Sequence, residues 1–171
     1  MMRSTTSKKP RVTDLPGLFL DTSALLAVFD KGEKDHEICK EIWQKIIRTQ
    51  SHVLYTSDYI LDEAATRLRT TRFNAEKVVG IIQALLRLAE KDALNIIWVQ
   101  EDQFQSALQK MAQLNDQILS FTDCVSFILC EQSGIGEAFT LDEDFDKVHL
   151  VRCPSDAERE QYRRRNNPRR P

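Results

Sequence analysis

The chain has 171 residues, of which 42% are hydrophobic and 29% charged, and its formal net charge is -2. This length suits one domain, and the composition excludes disorder of the whole chain. The charge is uneven, because residues 1–12 carry +4 and residues 154–171 carry +3, which leaves -9 for residues 13–153. Such an acidic body excludes simple charge attraction as the basis of nucleic-acid binding, which would need local basic patches, the ends or a bound cation.

The cysteines and the apolar segments indicate the compartment. No two of the four cysteines form a C-x-x-C pair, and no histidine lies near them at zinc-ligand spacing; they are Cys39, Cys124, Cys130 and Cys153. Reduced thiols in a cytoplasmic protein are the expected state. The polar, basic start of the chain is unlike a secretory signal, and no later segment is apolar enough to span a bilayer, so we expect no membrane association.

Short apolar runs alternate with helical patterns along the chain. The predicted strands are residues 18–20, 53–55, 96–99 and 138–141, with a weaker candidate at 148–151. Helical periodicity follows candidate capping residues between them, namely Thr22 or Ser23, Asp35, Ser57 or Asp58, and Asn74. Two more helices are predicted over residues 104–114 and 124–130. The alternation predicts an α/β fold in which a short parallel sheet is flanked by helices on both faces, a three-layer sandwich. Trp98, inside the third strand, is expected to pack in the core.

Two acids come directly after predicted strands. Asp21 follows residues 18–20, and Asp142 follows residues 138–141. Both are therefore expected at the carboxyl ends of buried strands, where open α/β sheets bind ligands. Carboxylates gathered there without a cation repel one another and lose hydration, which raises their pKa values. A bound metal ion would relieve that conflict, so the pattern favours a metal-dependent enzyme.

Four segments carry a family resemblance. They read LDTSALL from Leu20, LDEAA from Leu61, SFTDC from Ser120 and FTLDEDF from Phe139. In this order they resemble the signature segments of PIN-domain ribonucleases, and the chain is most similar to the VapC-type toxins of that family. The resemblance covers about residues 18–151 and leaves both basic ends outside it.

The resemblance implies a set of site residues and a cofactor. It makes four acids the catalytic and metal-binding residues: Asp21, Glu63, Asp123 and Asp142. Three further residues would support the site: Thr22, Thr140 and Asp144. Hard oxygen ligands of this kind suit Mg²⁺ or Mn²⁺. The implied function is a metal-dependent endoribonuclease, the toxin of a toxin-antitoxin pair, which forms a homodimer and is neutralised by a small antitoxin.

Each acid also has a local structural interpretation. Asp21 could cap a helix, and Glu63 could form a surface ion pair with Arg67. Asp123 lies near a helix start, where the helix dipole favours any acid. The stretch from Asp142 could be a solvated turn. Asp62 rivals Glu63, because a shift of helix register by one residue would exchange them.

Two other functions remain open. One is an inactive module of the same fold that serves RNA binding or assembly. The other is a phosphotransfer enzyme of the haloacid-dehalogenase type, which typically begins with D-x-D, whereas Ser23 stands two residues after Asp21.

The composition divides the chain into three parts. Residues 1–14 are expected to form a flexible basic segment, residues 15–154 the PIN-like domain, and residues 155–171 a flexible arginine-rich tail. The tail could bind RNA phosphates or act as a solubilising end.

Overall fold

A five-stranded parallel sheet lies at the centre of the molecule. The computed structural model describes residues 15–71 and 73–166. The strands in this part of the chain are β1 (Gly17–Leu20), β2 (Val53–Ser57), β3 (Asn95–Ile97), β4 (Glu137–Phe139) and β5 (Val151–Cys153). They lie in the order β3-β2-β1-β4-β5, and every neighbouring pair is parallel.

Helices connect the strands and flank the sheet. They are α1 (Thr22–Phe29), α2 (His36–Thr49), α3 (Asp58–Thr71), α4 (Ala75–Ala89), α5 (Glu101–Gln113), α6 (Phe121–Ser133) and α7 (Asp156–Asn166). The chain steps from β1 to β2 to β3 in one direction and then returns past β1 to β4. With right-handed crossovers, this reversal puts α5 and α6 on the face opposite α1 to α4. The predicted three-layer α/β architecture is therefore confirmed.

The reversal of strand order fixes where a site can form. Strand β1 lies between β2 and β4, and Leu20 pairs with Phe139 at the carboxyl ends of β1 and β4. The residues before these ends are apolar and buried, because both faces of the strands are covered. A crevice opens beyond the carboxyl ends of strands at such a switch point. Asp21 and the segment that follows β4 lie at this edge.

Several strand boundaries differ from the sequence prediction. Strand β4 ends at Phe139 rather than at residue 141, so Asp142 lies three residues beyond the strand instead of directly after it. Strand β3 ends at Ile97, so Trp98 lies beyond the sheet with 61% of its surface exposed, and the prediction that it packs in the core is wrong. Strand β5 begins at Val151 rather than at residue 148. The cause is a 3₁₀ helix over Glu143–Val148, here called the acidic 3₁₀ helix, which Asp142 caps through the backbone N of Asp144.

The carboxyl-terminal part contains a helix where the sequence suggested a flexible tail. Helix α7 covers Asp156–Asn166, and Arg159 and Arg163 pair with Asp35, just before α2. These ion pairs account for an ordered position that composition alone did not suggest. The expected basic segment 1–14 and residues 167–171 of the tail lie outside the described part of the chain. Over that described part, none of the helices combines the length and apolarity that crossing a membrane requires.

Candidate active site

Asp21 is the buried member of the site. It follows β1 directly, caps α1 and exposes only 5% of its surface. Its Oδ2 accepts hydrogen bonds from the backbone N of Ser23 at 3.1 Å, the hydroxyl of Ser23 at 2.6 Å and the hydroxyl of Thr140 at 2.8 Å. Burial raises the pKa of Asp21, and these hydrogen bonds oppose the rise. The carboxylate is therefore fixed in direction but costly to ionise.

Thr140 joins the carboxyl ends of β1 and β4. Its buried hydroxyl donates to Asp21 and accepts from the backbone N of Asp142 at 3.0 Å. The hydroxyl of Ser23 lies 3.1 Å from that of Thr140 and accepts from the backbone N of Leu141 at 2.9 Å. Through this network the position of one strand end determines the position of the other.

The acidic 3₁₀ helix presents two carboxylates. Asp142 caps it by accepting from the backbone N of Asp144 at 2.9 Å. Asp144 lies in its first turn and pairs with Lys147, whose Nζ is 2.6 Å from Oδ1 of Asp144. Both acids are half-buried. The stretch was interpreted as a possible solvated turn, but it forms a capped 3₁₀ helix and leaves both carboxylates at the same edge.

Asp123 lies in the first turn of helix α6. Ser120 caps this helix, and the Asp123 carboxylate accepts from the backbone N of Ser120 at 2.8 Å and from its hydroxyl at 2.7 Å, which forms a capping box. Burial raises the pKa of Asp123, and the charges of Asp142 and Glu63 raise it further. The negative charges of Asp142 and Glu63, which belong to two other elements, therefore act on the Asp123 carboxylate.

Helix α3 turns Glu63 rather than Asp62 toward the site. The hydroxyl of Thr22 donates to Oε2 of Glu63 at 2.9 Å, whereas Asp62 is exposed. Glu63 also forms the predicted pair with Arg67 in the next turn, at 3.8 Å. The ion pair and the orientation toward Thr22 coexist, because the two oxygens of the carboxylate serve different partners.

The carboxylates from α6 and the acidic 3₁₀ helix converge. One oxygen from each of Asp123, Asp142 and Asp144 lies within 4.8 Å of the others, which makes them the group in the described residues that could hold a metal ion. Asp144, predicted as a supporting residue, belongs to this group, whereas Asp21 and Glu63 lie outside it. The all-carboxylate donor set and the electrostatic strain at Asp123 fit a hard divalent cation. The assignment of individual ligands stays a prediction.

Three contributing side chains were not among the predicted site residues. Ser23 and Ser120 hold Asp21 and Asp123, and Lys147 pairs with Asp144. The sequence contained a signal for two of them. Ser120 stands three residues before Asp123, as in a capping box, and Ser23 stands two residues after Asp21, within reach of a helix-capping carboxylate.

Comparisons with known proteins agree with the predicted fold. The PIN domain model matches residues 18–150. The 23S rRNA-specific endonuclease VapC20 of Mycobacterium tuberculosis is 26% identical over 134 residues, which cover 78% of this chain and 95% of that protein.

Solved structures show the same likeness. The crystal structure of VapC20, described as a Sarcin-Ricin loop cleaving toxin, has a TM-score of 0.67 at 25% identity and covers 78% of this chain and 96% of that one. VapBC2 from Rickettsia felis, bound to a DNA fragment from its promoter, has a TM-score of 0.59 at 12% identity, covers 80% of this chain and 96% of that one, and supports the fold alone. The resemblance to VapC-type proteins is confirmed, and the chain belongs to the PIN domain family.

Proposed function

We propose that this protein is a metal-dependent endoribonuclease that acts as the toxin of a toxin-antitoxin pair. The observation that carries the proposal is the convergence of Asp123, Asp142 and Asp144 beside the buried Asp21. Carboxylates from three elements are held together there although like charges destabilise them, an arrangement that a structural role alone does not explain. The similarity to VapC20, named as a 23S rRNA-specific endonuclease, supports RNA as the substrate.

The donor set suits Mg²⁺ or Mn²⁺, since both prefer oxygen ligands. Asp123, Asp142 and Asp144 would hold the ion, with Asp21 and Glu63 completing the acidic surroundings. When bound, such an ion supplies an acidified water and stabilises negative charge on a phosphate.

The remaining work falls to the side chains of this chain. Ser23 and Thr140 fix the direction of Asp21, and Thr22 fixes that of Glu63. These two carboxylates can accept hydrogen bonds from a water at the phosphate and so orient it for attack. The hydroxyl network keeps them aligned without adding positive charge that would compete with the cation.

The proposed partners follow from the same likeness. A small antitoxin is proposed because the chain resembles VapC-type toxins and VapC20 is described as a toxin, and RNA is proposed as the substrate. A homodimer and a cytoplasmic location remain expectations for a toxin that meets cellular RNA. The first substrate to test is 23S rRNA, the RNA named for VapC20.

The proposal is tested by incubating the protein with total RNA and either Mn²⁺ or Mg²⁺ and mapping the new RNA ends. We expect discrete ends with the wild type and a loss on the order of a thousandfold in Asp21→Asn and Asp123→Asn, since a metal site contributes several kcal/mol to such a reaction. Equal cleavage by wild type and both variants would identify a contaminant and remove the proposal. RNA binding without cleavage would favour the inactive module.

Helix α3 offers a matched pair for the same assay. Glu63→Gln removes the charge that faces Thr22, whereas Asp62→Asn removes the adjacent exposed charge. Each changes the net charge by one unit on the same turn of the helix. We expect Glu63→Gln to lower cleavage at least about tenfold, in line with the loss of an acid–base or orienting group, and Asp62→Asn to cleave like the wild type. The reverse ranking would mean that Asp62 is the site residue.

A further inference from the structure

Arg152 on β5 forms an ion pair with the acidic 3₁₀ helix. Its Nε donates to Oδ1 of Asp146 at 2.8 Å, and its Nη2 lies 2.8 Å from Oδ2 of the same carboxylate. This two-point contact fixes the orientation of both groups, as a single-point pair would not. Only 7% of the Arg152 side chain is exposed, although Asp146 itself faces solvent. The guanidinium is thus a largely buried charge that depends on its partners.

The same guanidinium reaches helix α7. Its Nη2 lies 2.9 Å from Oδ2 of Asp156 in the first turn of α7, and Asp156 also bonds to Arg159. Arg159 also pairs with the buried Asp35, with 3.3 Å between its Nη1 and Oδ2 of Asp35. Nη2 of Arg163 lies 2.6 Å from Oδ1 of the same carboxylate. An alternating chain of acids and arginines therefore runs from the acidic 3₁₀ helix through Arg152 to the base of α2.

The position of this chain of charges links it to the site. Asp146 lies two residues after Asp144 and four after Asp142, within the same 3₁₀ helix. The other side of that helix is fixed by Phe145, which is fully buried and packs edge-on against Phe127 of α6 at 5.1 Å between ring centroids. Held by Phe145 on one side and by Arg152 on the other, the helix has little freedom to rotate its carboxylates away from Asp123.

We propose that Arg152 is a positioning residue, which holds Asp142 and Asp144 in place for the cation and is itself held by helix α7. The inference rests on the proposed function, because it concerns the alignment of that site. Residues 151–166 lie beyond the PIN domain match, which ends at residue 150. The arrangement assigns a role in the site to a residue beyond that match and to a helix that composition marks only as basic.

The test compares two arginine substitutions in the full-length protein. Arg152→Gln removes the charge at the centre of the chain of ion pairs, while Arg164→Gln removes the same charge from a side chain that is 79% exposed and pairs with Glu160 within α7. Mn²⁺ binding is measured by calorimetry, and RNA cleavage is measured as a function of Mn²⁺ concentration. We expect Arg152→Gln to bind Mn²⁺ about tenfold more weakly, the lower end of the range for groups that orient metal ligands. Arg164→Gln should match the wild type.

The metal dependence separates positioning from a loss of structure. Cleavage by Arg152→Gln should fall about tenfold at limiting Mn²⁺ and recover at saturating Mn²⁺, because the ligands are still present. Circular dichroism confirms that the variant is folded at the assay temperature. Mn²⁺ affinity within twofold of the wild type in a folded variant would overturn the inference, as would an equal loss in Arg164→Gln.

A second variant keeps the inference testable if Arg152→Gln does not fold. Asp156→Asn removes the charge through which α7 contacts Arg152, together with its pair to Arg159, on a side chain that is more than half exposed. We expect a loss of about threefold in Mn²⁺ affinity, the size of effect that a partly exposed ion pair produces. In that case, unchanged affinity in Asp156→Asn overturns the inference. Wild-type protein that binds no Mn²⁺ would defeat the proposed function as well, whereas normal wild-type binding with unaffected variants defeats only the role of Arg152.

Discussion

The two sides of the acidic site are held by different kinds of contact. At the end of β1, Asp21 is buried and is fixed by neutral hydroxyl and backbone donors. Beyond β4, Asp144 is half-exposed and pairs with Lys147, and the helix that carries it is tied to Arg152. Neutral donors give direction without cancelling charge, whereas ion pairs hold a segment but neutralise part of its acidity. The buried side is thus suited to holding a carboxylate in a fixed direction. The exposed side is suited to replacing the ammonium group of Lys147 by a metal ion.

Among the changes that test this difference between the two sides, the largest effect is expected from removing the hydrogen bonds that connect them. Thr140→Val keeps the shape of the side chain but removes the hydroxyl that joins Asp21 to the backbone of Asp142. Cleavage should fall about 10- to 100-fold, and the free energy of unfolding should fall by about 1–3 kcal/mol, because a buried acceptor and a buried donor each lose a partner. Thr66→Val, on an exposed position of α3, is the control and should change neither quantity. Full activity in Thr140→Val would show that the two sides act independently.

The second prediction uses pH to examine the buried side alone. Burial raises the pKa of Asp21 above its value in the unfolded chain, so the folded state holds this proton more tightly. The resulting stabilisation is present at low pH and is lost as pH rises from about 4 through the raised folded value. Without divalent ions, Asp21→Asn should therefore unfold at a higher temperature than the wild type at pH 7, and the gap should close on acidification.

Added Mn²⁺ should reverse that order, since it stabilises the wild type and binds more weakly in the variant, whose site has lost one of the surrounding negative charges. The measurement is a set of thermal unfolding curves by circular dichroism from pH 3 to 8, with and without the ion. A stability gap that does not change with pH would mean that the ionisation of Asp21 is not the source of the cost.

The smallest effect is expected on the exposed side. Lys147→Met removes the cation that pairs with Asp144, and a partly exposed pair of this kind contributes about 0.2–1 kcal/mol. Mn²⁺ affinity should therefore rise by no more than about fivefold, which calorimetry can resolve. Lys45→Met, on the exposed surface of α2, provides a control of the same charge. Weaker Mn²⁺ binding in Lys147→Met would contradict the view that Lys147 competes with the metal.

Much of the fold could be predicted from the sequence, because its signals are local. Strands β1, β2 and β4 are apolar runs bounded by turn or capping residues, and their alternation with helices indicates a parallel sheet. The start of β5 was misplaced because the capping of the acidic 3₁₀ helix uses residues that the apolar pattern had assigned to the strand. Trp98 was misplaced because an apolar run does not reveal where strand pairing stops.

The site was predictable in its members but not in its grouping. The order of the acids and the strand ends identified Asp21 and Asp142, yet only the fold shows that Asp144 lies closer to Asp123 than its supporting role suggested. Helix α7 could not be anticipated at all, because its arginines are held by Asp35, which precedes Arg159 by 124 residues. Contacts between such distant residues leave no local pattern in the chain.

Our central claim is that Asp123 of α6 and Asp142 and Asp144 of the acidic 3₁₀ helix share a divalent cation. The most direct measurement is a crystal structure of the protein in Mn²⁺, with the ion located by its anomalous scattering. We expect one strong peak in contact with carboxylate oxygens of Asp123, Asp142 and Asp144, and no peak in crystals of Asp123→Asn grown in the same way. A protein that shows no peak at saturating Mn²⁺, or a peak held by other residues, would contradict the account.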